Sequence, residues 1–231
     1  MRTNELYSAP SVQAVLGPTL RPGGMLLTQR ILEYIAPEPG SWALDAGCSY
    51  GASLGLLRQY GLNAIGLDIC QKFLLKAQKH GHDLVHSSLN ALPFTSQCLD
   101  LILCECAWNL TDKETSLAEF HRVLRPQGIL AVTDMFVQGE LDQSWPVQCC
   151  FAQATTLERV QEQVMTAGFH IEVLEDQSQV LKKAAADFIF QYGSLHGFWQ
   201  AVTGDPALAE QACTSAKEAR PGLFLLIARR I

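Results

Sequence analysis

With 231 residues and 48% hydrophobic side chains, the chain has apolar material for one large core and too little length for two full domains. The formal net charge of −6 comes from dispersed acids, and the 17 Lys and Arg residues form no stripe with interleaved aromatics, so nucleic acid is excluded as the expected partner. No segment approaches the roughly 18 uninterrupted apolar residues of a membrane span, and residues 1–10 lack a basic stretch followed by an apolar core. The expectation is a cytoplasmic protein with no membrane partner.

The eight cysteines, Cys48, Cys70, Cys98, Cys104, Cys106, Cys149, Cys150 and Cys213, show neither a secreted framework nor a Cys-x-x-Cys pair of the zinc type. They are expected to be free thiols, mostly in the core, and no metal is expected. The spacing says nothing about oligomeric state.

Strand-like and helix-like apolar runs alternate, which predicts an α/β fold: a doubly wound, seven-stranded, mostly parallel sheet with helices on both faces. Residues 25–35 carry helical spacing and stop at Pro37. A short strand over 42–44 leads into Asp45-Ala46-Gly47-Cys48-Ser49-Tyr50-Gly51, and 52–60 reads as the next helix. The second strand, 64–67, ends on Asp68 and is followed by a helix over 71–80. Leu84 and Val85 seed the third strand, and 99–103 forms the fourth.

Thr111 and Glu114 have capping-box spacing before a helix whose apolar face is Leu117, Phe120, Val123 and Leu124. Pro126 and Gly128 end it, and 129–133 is the fifth strand. Thr155 with Glu158 repeats the capping signal before a helix running to Gly168, and 169–174 is the sixth strand. Helices over 179–195 and 206–217 precede a last strand at 223–228. One domain is therefore expected over 1–231: an N-terminal helix and cover (1–40), a ligand-binding core (41–135), a lid bearing Trp145 and Cys149-Cys150 (136–155), and C-terminal helices and strands (156–231).

In an open α/β sheet, ligands bind beyond the carboxyl ends of the strands. Asp45 and Asp68 close the first two strands, and an acid such as Asp68 can accept bonds from both hydroxyls of a ribose. A dinucleotide wants Gly-x-Gly-x-x-Gly to receive its pyrophosphate. Here the turn is Gly47-x-Ser49-x-Gly51 with Asp45 directly before it. That carboxylate repels a pyrophosphate and attracts an ammonium or sulfonium, which favours S-adenosylmethionine over NAD.

The residues 44–51, Gly66-Leu67-Asp68, Leu92-Pro93-Phe94, Leu99-Asp100-Leu101-Ile102 and 120–128 together resemble the class I S-adenosylmethionine-dependent methyltransferases of small-molecule type, over roughly Trp42 to Asp134. The resemblance implies methyl transfer to an unidentified small-molecule acceptor by in-line displacement. Asp45, Gly47, Cys48, Ser49 and Gly51 would line the methionine part of the cofactor, and Asp68 would hold its ribose. The adenine would lie between Ile69 and Leu89, with Ser88 at its edge, while Glu105 and Cys106 would border the methyl group. Ser49 replaces the family's middle glycine, with its amides expected to stay available, and Ser88 stands where an acid is common.

Arg21, before the first helix, is a candidate partner for the cofactor carboxylate. If a base is needed, Glu105 and His196 are the first candidates, followed by His86 and His121. Residues 150–154 and Ala167-Gly168-Phe169 are loosely similar to arsenite methyltransferases, which hold arsenic on thiolates. Cys149 and Cys150, with Cys48 and Cys106, are thus candidates to face a thiophilic acceptor. An NAD-type oxidoreductase and a non-catalytic S-adenosylmethionine-binding protein are the alternatives.

Overall fold

The computed structural model describes residues 3–139 and 145–231. Seven strands among them, β1 (Trp42–Ala46), β2 (Asn63–Asp68), β3 (Asp83–His86), β4 (Leu99–Glu105), β5 (Leu124–Val137), β6 (Phe169–Asp176) and β7 (Pro221–Arg230), form one sheet in the order β3-β2-β1-β4-β5-β7-β6. The neighbours from β3 to β5 pair in parallel, and β7 runs antiparallel to both β5 and β6. The helices are α1 (Thr3–Ser8), α2 (Pro10–Leu16), α3 (Leu26–Ile35), α4 (Ala52–Gln59), α5 (Gln71–Ala77), α6 (Lys113–Val123), α7 (Leu157–Thr166), α8 (Ser178–Tyr192), α9 (Leu195–Thr203) and α10 (Pro206–Ala219).

Side chains alternate across each strand, so one sheet splits its apolar residues into two layers. Leu44, Ile102 and Leu130 pack with Leu117, Phe120 and Val123 of α6 and Val160 and Val164 of α7. Ala43, Leu101 and Leu103 face the other way, against Leu27 and Ile31 of α3 and Leu54 and Leu57 of α4. A third cluster joins Leu6 and Val12 of the N-terminal helices to Phe198, Trp199, Ala209 and Ala212 of α9 and α10. It forms a helical cap beside the sheet.

The structure shifts several expected boundaries. The cap of α6 is Asp112, whose carboxylate accepts from Thr115 N at 2.8 Å, while Thr111 Oγ1 donates to the Trp108 carbonyl. Thr156 rather than Thr155 caps α7. β5 begins at Leu124, five residues before the expected start, because Leu124 already pairs with Leu99; the ladder absorbs 126–128 as a register shift between Leu99 and Leu101. The expected helix over 179–195 ends at Tyr192, before Gly193 at φ 76°, and a further helix that was not expected, α9, starts after Ser194, whose hydroxyl accepts from Gly197 N.

Gly66 on β2 is required by close packing. A Cβ there would stand 2.8 Å from both Cys48 Sγ and Leu54 Cδ1 and 2.9 Å from Leu84 Cδ2. Gly66→Ala is expected to lower stability by about 1–3 kcal/mol, the usual cost of overpacking a filled core. Denaturant unfolding at fixed pH measures it.

Candidate functional site

A cavity of about 450 Å³ opens beyond the carboxyl ends of β1, β2 and β4. Its wall includes Gly47, Cys48 and Ser49 from the turn after β1, Asp68 and Ile69 from the end of β2, Ser88, Leu89 and Asn90 after β3, and Glu105 and Cys106 from the end of β4. Tyr7, Leu20 and Arg21 close it from the N-terminal side.

The turn is held by its own amides. Gly47 N and Cys48 N both donate to the Leu67 carbonyl, at 2.8 and 2.9 Å, Gly51 N donates to the Cys48 carbonyl, and Ser49 N donates to Asp68 Oδ2 at 2.8 Å. These amides are therefore engaged within the protein, contrary to the expectation that they stay available. Ser49 is held at φ 49°, a left-handed conformation that costs a non-glycine residue on the order of 1–2 kcal/mol. Its hydroxyl is buried on the cavity wall without a hydrogen-bond partner among the described residues.

Asp68 accepts from Ser49 N and from Cys70 N at 2.7 Å, which fixes its carboxylate at the cavity edge. Burial raises its pKa, and those amide bonds oppose the shift. Asp45 is 4% exposed, and burial pushes its carboxyl up to about 7, with Arg21 opposing the shift and Glu105 and Asp68 adding to it. Ile69 is 64% exposed on the cavity wall, with Leu89 also on that wall, so apolar surface is offered there to a ligand. Ser88 Oγ accepts from Asn90 N, whereas the buried Asn90 Oδ1 has no partner among the described residues. The orphaned acceptor of this loop is thus Asn90.

Glu105 is tied on every side. Its carboxylate pairs with Arg21 at 2.8 Å and accepts from Thr28 Oγ1 at 2.9 and 3.1 Å and from Ser53 Oγ at 3.3 Å. Arg21 also donates to Thr28 and Ser53. This network sews the N-terminal segment and α3 to α4 and the end of β4. Glu105 is thus engaged by Arg21 and two hydroxyls within the protein.

A second cavity of about 140 Å³ adjoins the first, with Tyr7 and Leu20 on both walls. Trp145, Phe151, Phe188, Phe198 and Trp199 make it apolar, and Cys149 and Cys150 lie on its wall. Cys150 N donates to the Tyr7 hydroxyl at 3.1 Å. Residues 145–155 of the expected lid are packed into the cap, with Trp145 stacked on Phe151 and Cys149 buried, while 140–144 lie outside the described residues. Cys104 and Cys106, expected on one face if the strand continued, are on opposite layers, because Cys106 turns to φ 53° just past the end of β4. Hydrogen bonding to Cys150 and burial hold the Cys106 thiol well above its ordinary pKa.

Of the residues singled out in the sequence, Arg21, Gly47, Cys48, Ser49, Asp68, Ile69, Ser88, Leu89, Glu105 and Cys106 share the large cavity. Asp45 lies off its wall, in the field of Arg21, and Gly51 serves packing, since a Cβ there would meet His82 and Ala77. His196 lies on α9, half exposed and 3.8 Å from Glu210, and lines neither cavity. Sequence reasoning missed Tyr7, Asn90, Thr28 and Ser53, for which only the fold supplies a signal. Glu105→Gln leaves Arg21 buried and uncompensated, so a loss of about 3–5 kcal/mol in unfolding free energy is expected. Thermal and denaturant unfolding measure it.

Residues 44–132 match the family model described as a methyltransferase domain. Among curated relatives, the malonyl-[acyl-carrier protein] O-methyltransferase of Hamiltonella defensa is 33% identical over 122 residues, which are 50% of this chain and 47% of that protein. The chain thus spans about half the length of that relative. Methyltransferase GfsG of Streptomyces halstedii is 25% identical over 89% of this chain and 77% of its own. Among solved structures, the [4+2]-cyclase SpnF has a TM-score of 0.77 at 24% identity, over 98% of this chain and 93% of that one. The phosphoethanolamine N-methyltransferase 2 of Haemonchus contortus, in complex with S-adenosyl-L-methionine, has a TM-score of 0.76 at 19% identity, over 95% and 56%. The match covers the part of the chain that carries the turn, Asp68 and the end of β4, and the solved structures share its fold.

Proposed function

We propose that the protein binds S-adenosylmethionine in the large cavity and transfers its methyl group to a small-molecule acceptor by in-line displacement. The observation that carries this is the donor set. Asp68 stands fixed at the cavity edge, apolar surface from Ile69 and Leu89 lies alongside, and Asp45 is a buried carboxylate short of positive charge. A cofactor with a ribose, a flat adenine and an ammonium satisfies all three, and the unpartnered Ser49 Oγ and Asn90 Oδ1 offer it further hydrogen bonds.

When bound, S-adenosylmethionine supplies a methyl group already activated on a sulfonium, so the protein has mainly to align donor and acceptor and exclude water. Arg21 and Glu105, locked to each other, give that end of the cavity a rigid polar wall. Tyr7 and Cys106 stand on the side toward the apolar cavity, from which an acceptor would approach. With Glu105 engaged and His196 remote, the reading calls for an acceptor whose nucleophilic atom needs no carboxylate or imidazole base from these two residues.

Calorimetric titration with S-adenosylmethionine tests the placement. Asp68→Ala and Asn90→Ala are each expected to weaken binding by about 1–3 kcal/mol, the cost of leaving ligand donors desolvated without partners. Unchanged affinity in a folded Asp68→Ala protein would overturn the assignment.

The pH dependence follows from Asp45. A carboxyl raised to about 7 in the folded state contributes stability that is full below its unfolded pKa near 4 and is lost as pH rises through 7. The free protein should therefore melt at a lower temperature at pH 8 than at pH 5.5. Cofactor binding, which favours the ionised carboxylate, should weaken below pH 7 by up to about tenfold per unit. Asp45→Asn should flatten both slopes, as read by melting curves and calorimetry across that range.

A further inference from the structure

We propose that Cys106, Cys150 and Asp134 form a binding site for one soft, thiophilic cation at the junction of the two cavities. The donor atoms of these three residues lie within 4.8 Å of one another, although they come from the end of β4, the segment after residue 145 and the middle of β5. No Cys-x-x-Cys spacing announces the cluster, because only the fold assembles it.

The cluster is built rather than incidental. Cys106 N donates to the Thr133 carbonyl at 2.7 Å, pinning the left-handed Cys106 beside β5, one residue from Asp134. Asn109 then ties the other two members together. Its backbone N donates to Asp134 Oδ2 at 2.9 Å, and its Nδ2 lies 3.0 Å from Asp134 Oδ1, 2.8 Å from the Met135 carbonyl and 2.9 Å from the Cys150 carbonyl. Such outer bonds orient ligands around a metal and hold them in place before it arrives. Cys104, by contrast, sits in the apolar layer of the sheet with Leu130 and Val132, as a packed thiol does.

Asp134 gives the second argument. It is 0% exposed, and the nearby ammonium of Lys113 donates to the Gln153 carbonyl at 2.6 Å instead of to this carboxylate. A buried carboxylate beside two thiols, without a hydrogen-bonded cation, is an arrangement that a bound cation would neutralise. Two sulfurs and one oxygen select a soft or borderline ion such as zinc or cadmium over magnesium or calcium, which take oxygen ligands. Cys106 lies on the wall of the large cavity, which gives the ion its entry and leaves a further ligand position to a molecule in the cavity.

Cadmium is the probe. The full chain, kept reduced with a phosphine, is titrated with Cd2+ and followed by the ultraviolet thiolate-to-cadmium charge-transfer band and by calorimetry. One ion per chain is expected, with two sulfur neighbours by X-ray absorption at the cadmium edge. Cys106→Ser and Cys150→Ser should each weaken binding on the order of 100-fold and lose intensity in the band. Asp134→Asn should weaken it less, and Cys149→Ser and Cys213→Ser should leave it unchanged. Wild-type X-ray absorption reads the sulfur count even if a cysteine variant does not fold. Fewer than two sulfur neighbours, or binding retained in both folded cysteine variants, would overturn the site, and neither result depends on whether the protein transfers methyl groups.

Discussion

The reversal of strand order at β1 is the constraint on which the site depends. The chain runs outward from β1 to β2 and β3, then returns to lay β4 on the other side of β1. The helix after β1 therefore packs on one face of the sheet and the helix after β4 on the other, as Leu54 and Phe120 show by falling in different layers. The loops that leave the strand ends diverge, and the crevice between them cannot be filled by either helix. Asp45, Asp68 and Glu105 all sit within the last two residues of their strands, so one topological event brings Asp68 and Glu105 to the cavity wall and leaves Asp45 off it, close enough to feel both.

Three carboxylates so close would repel one another, and the structure treats each differently. Among the described residues, Glu105 alone of the three pairs with a guanidinium, with two hydroxyls to complete its shell. Asp68 receives two backbone amides, which stabilise the charge without a counter-ion. Asp45 receives neither, and burial accordingly drives its carboxyl toward neutrality. Two of the three carboxylates thus lack a counter-ion, which argues for a ligand with a cationic group and against a pyrophosphate. Fold likeness could not decide this, since a [4+2]-cyclase and an N-methyltransferase share the architecture equally well.

Much of this was legible in the sequence because it is local. A short apolar run ending in Asp45 or Asp68, followed by a glycine turn or a helical pattern, reads as strand, loop and helix without tertiary knowledge. The apolar face of α6, from Leu117 through Val123, is likewise written in its period. What failed depended on partners far along the chain. Which amides of 47–51 stay free is settled by the Leu67 carbonyl and Asp68, on the neighbouring strand. The start of β5 is settled by Leu99, across the ladder, which overrides the turn signal of Pro126 and Gly128. The helices α1 and α2 are short, and α2 has Pro10 at its first position but no side-chain cap, so its packing against α8 and α9 does most to hold it.

The cysteines show the same division between local and long-range information. Alternation along β4 places Cys104 in the α6 layer and would place Cys106 beside it. The left-handed turn at Cys106 reverses that, carrying its sulfur to the α3 layer and against Cys150. Glycine would occupy that backbone conformation without strain, whereas a side chain there costs on the order of 1–2 kcal/mol. The strain is held in place by the Cys106 N bond to Thr133, so the thiol is carried at this point against local preference. The match to the methyltransferase domain ends at residue 132, just before Asp134 and well before Cys150. The thiol cluster therefore joins one residue of the shared core to two that lie beyond it, in the region where the second cavity and the helical cap are also built.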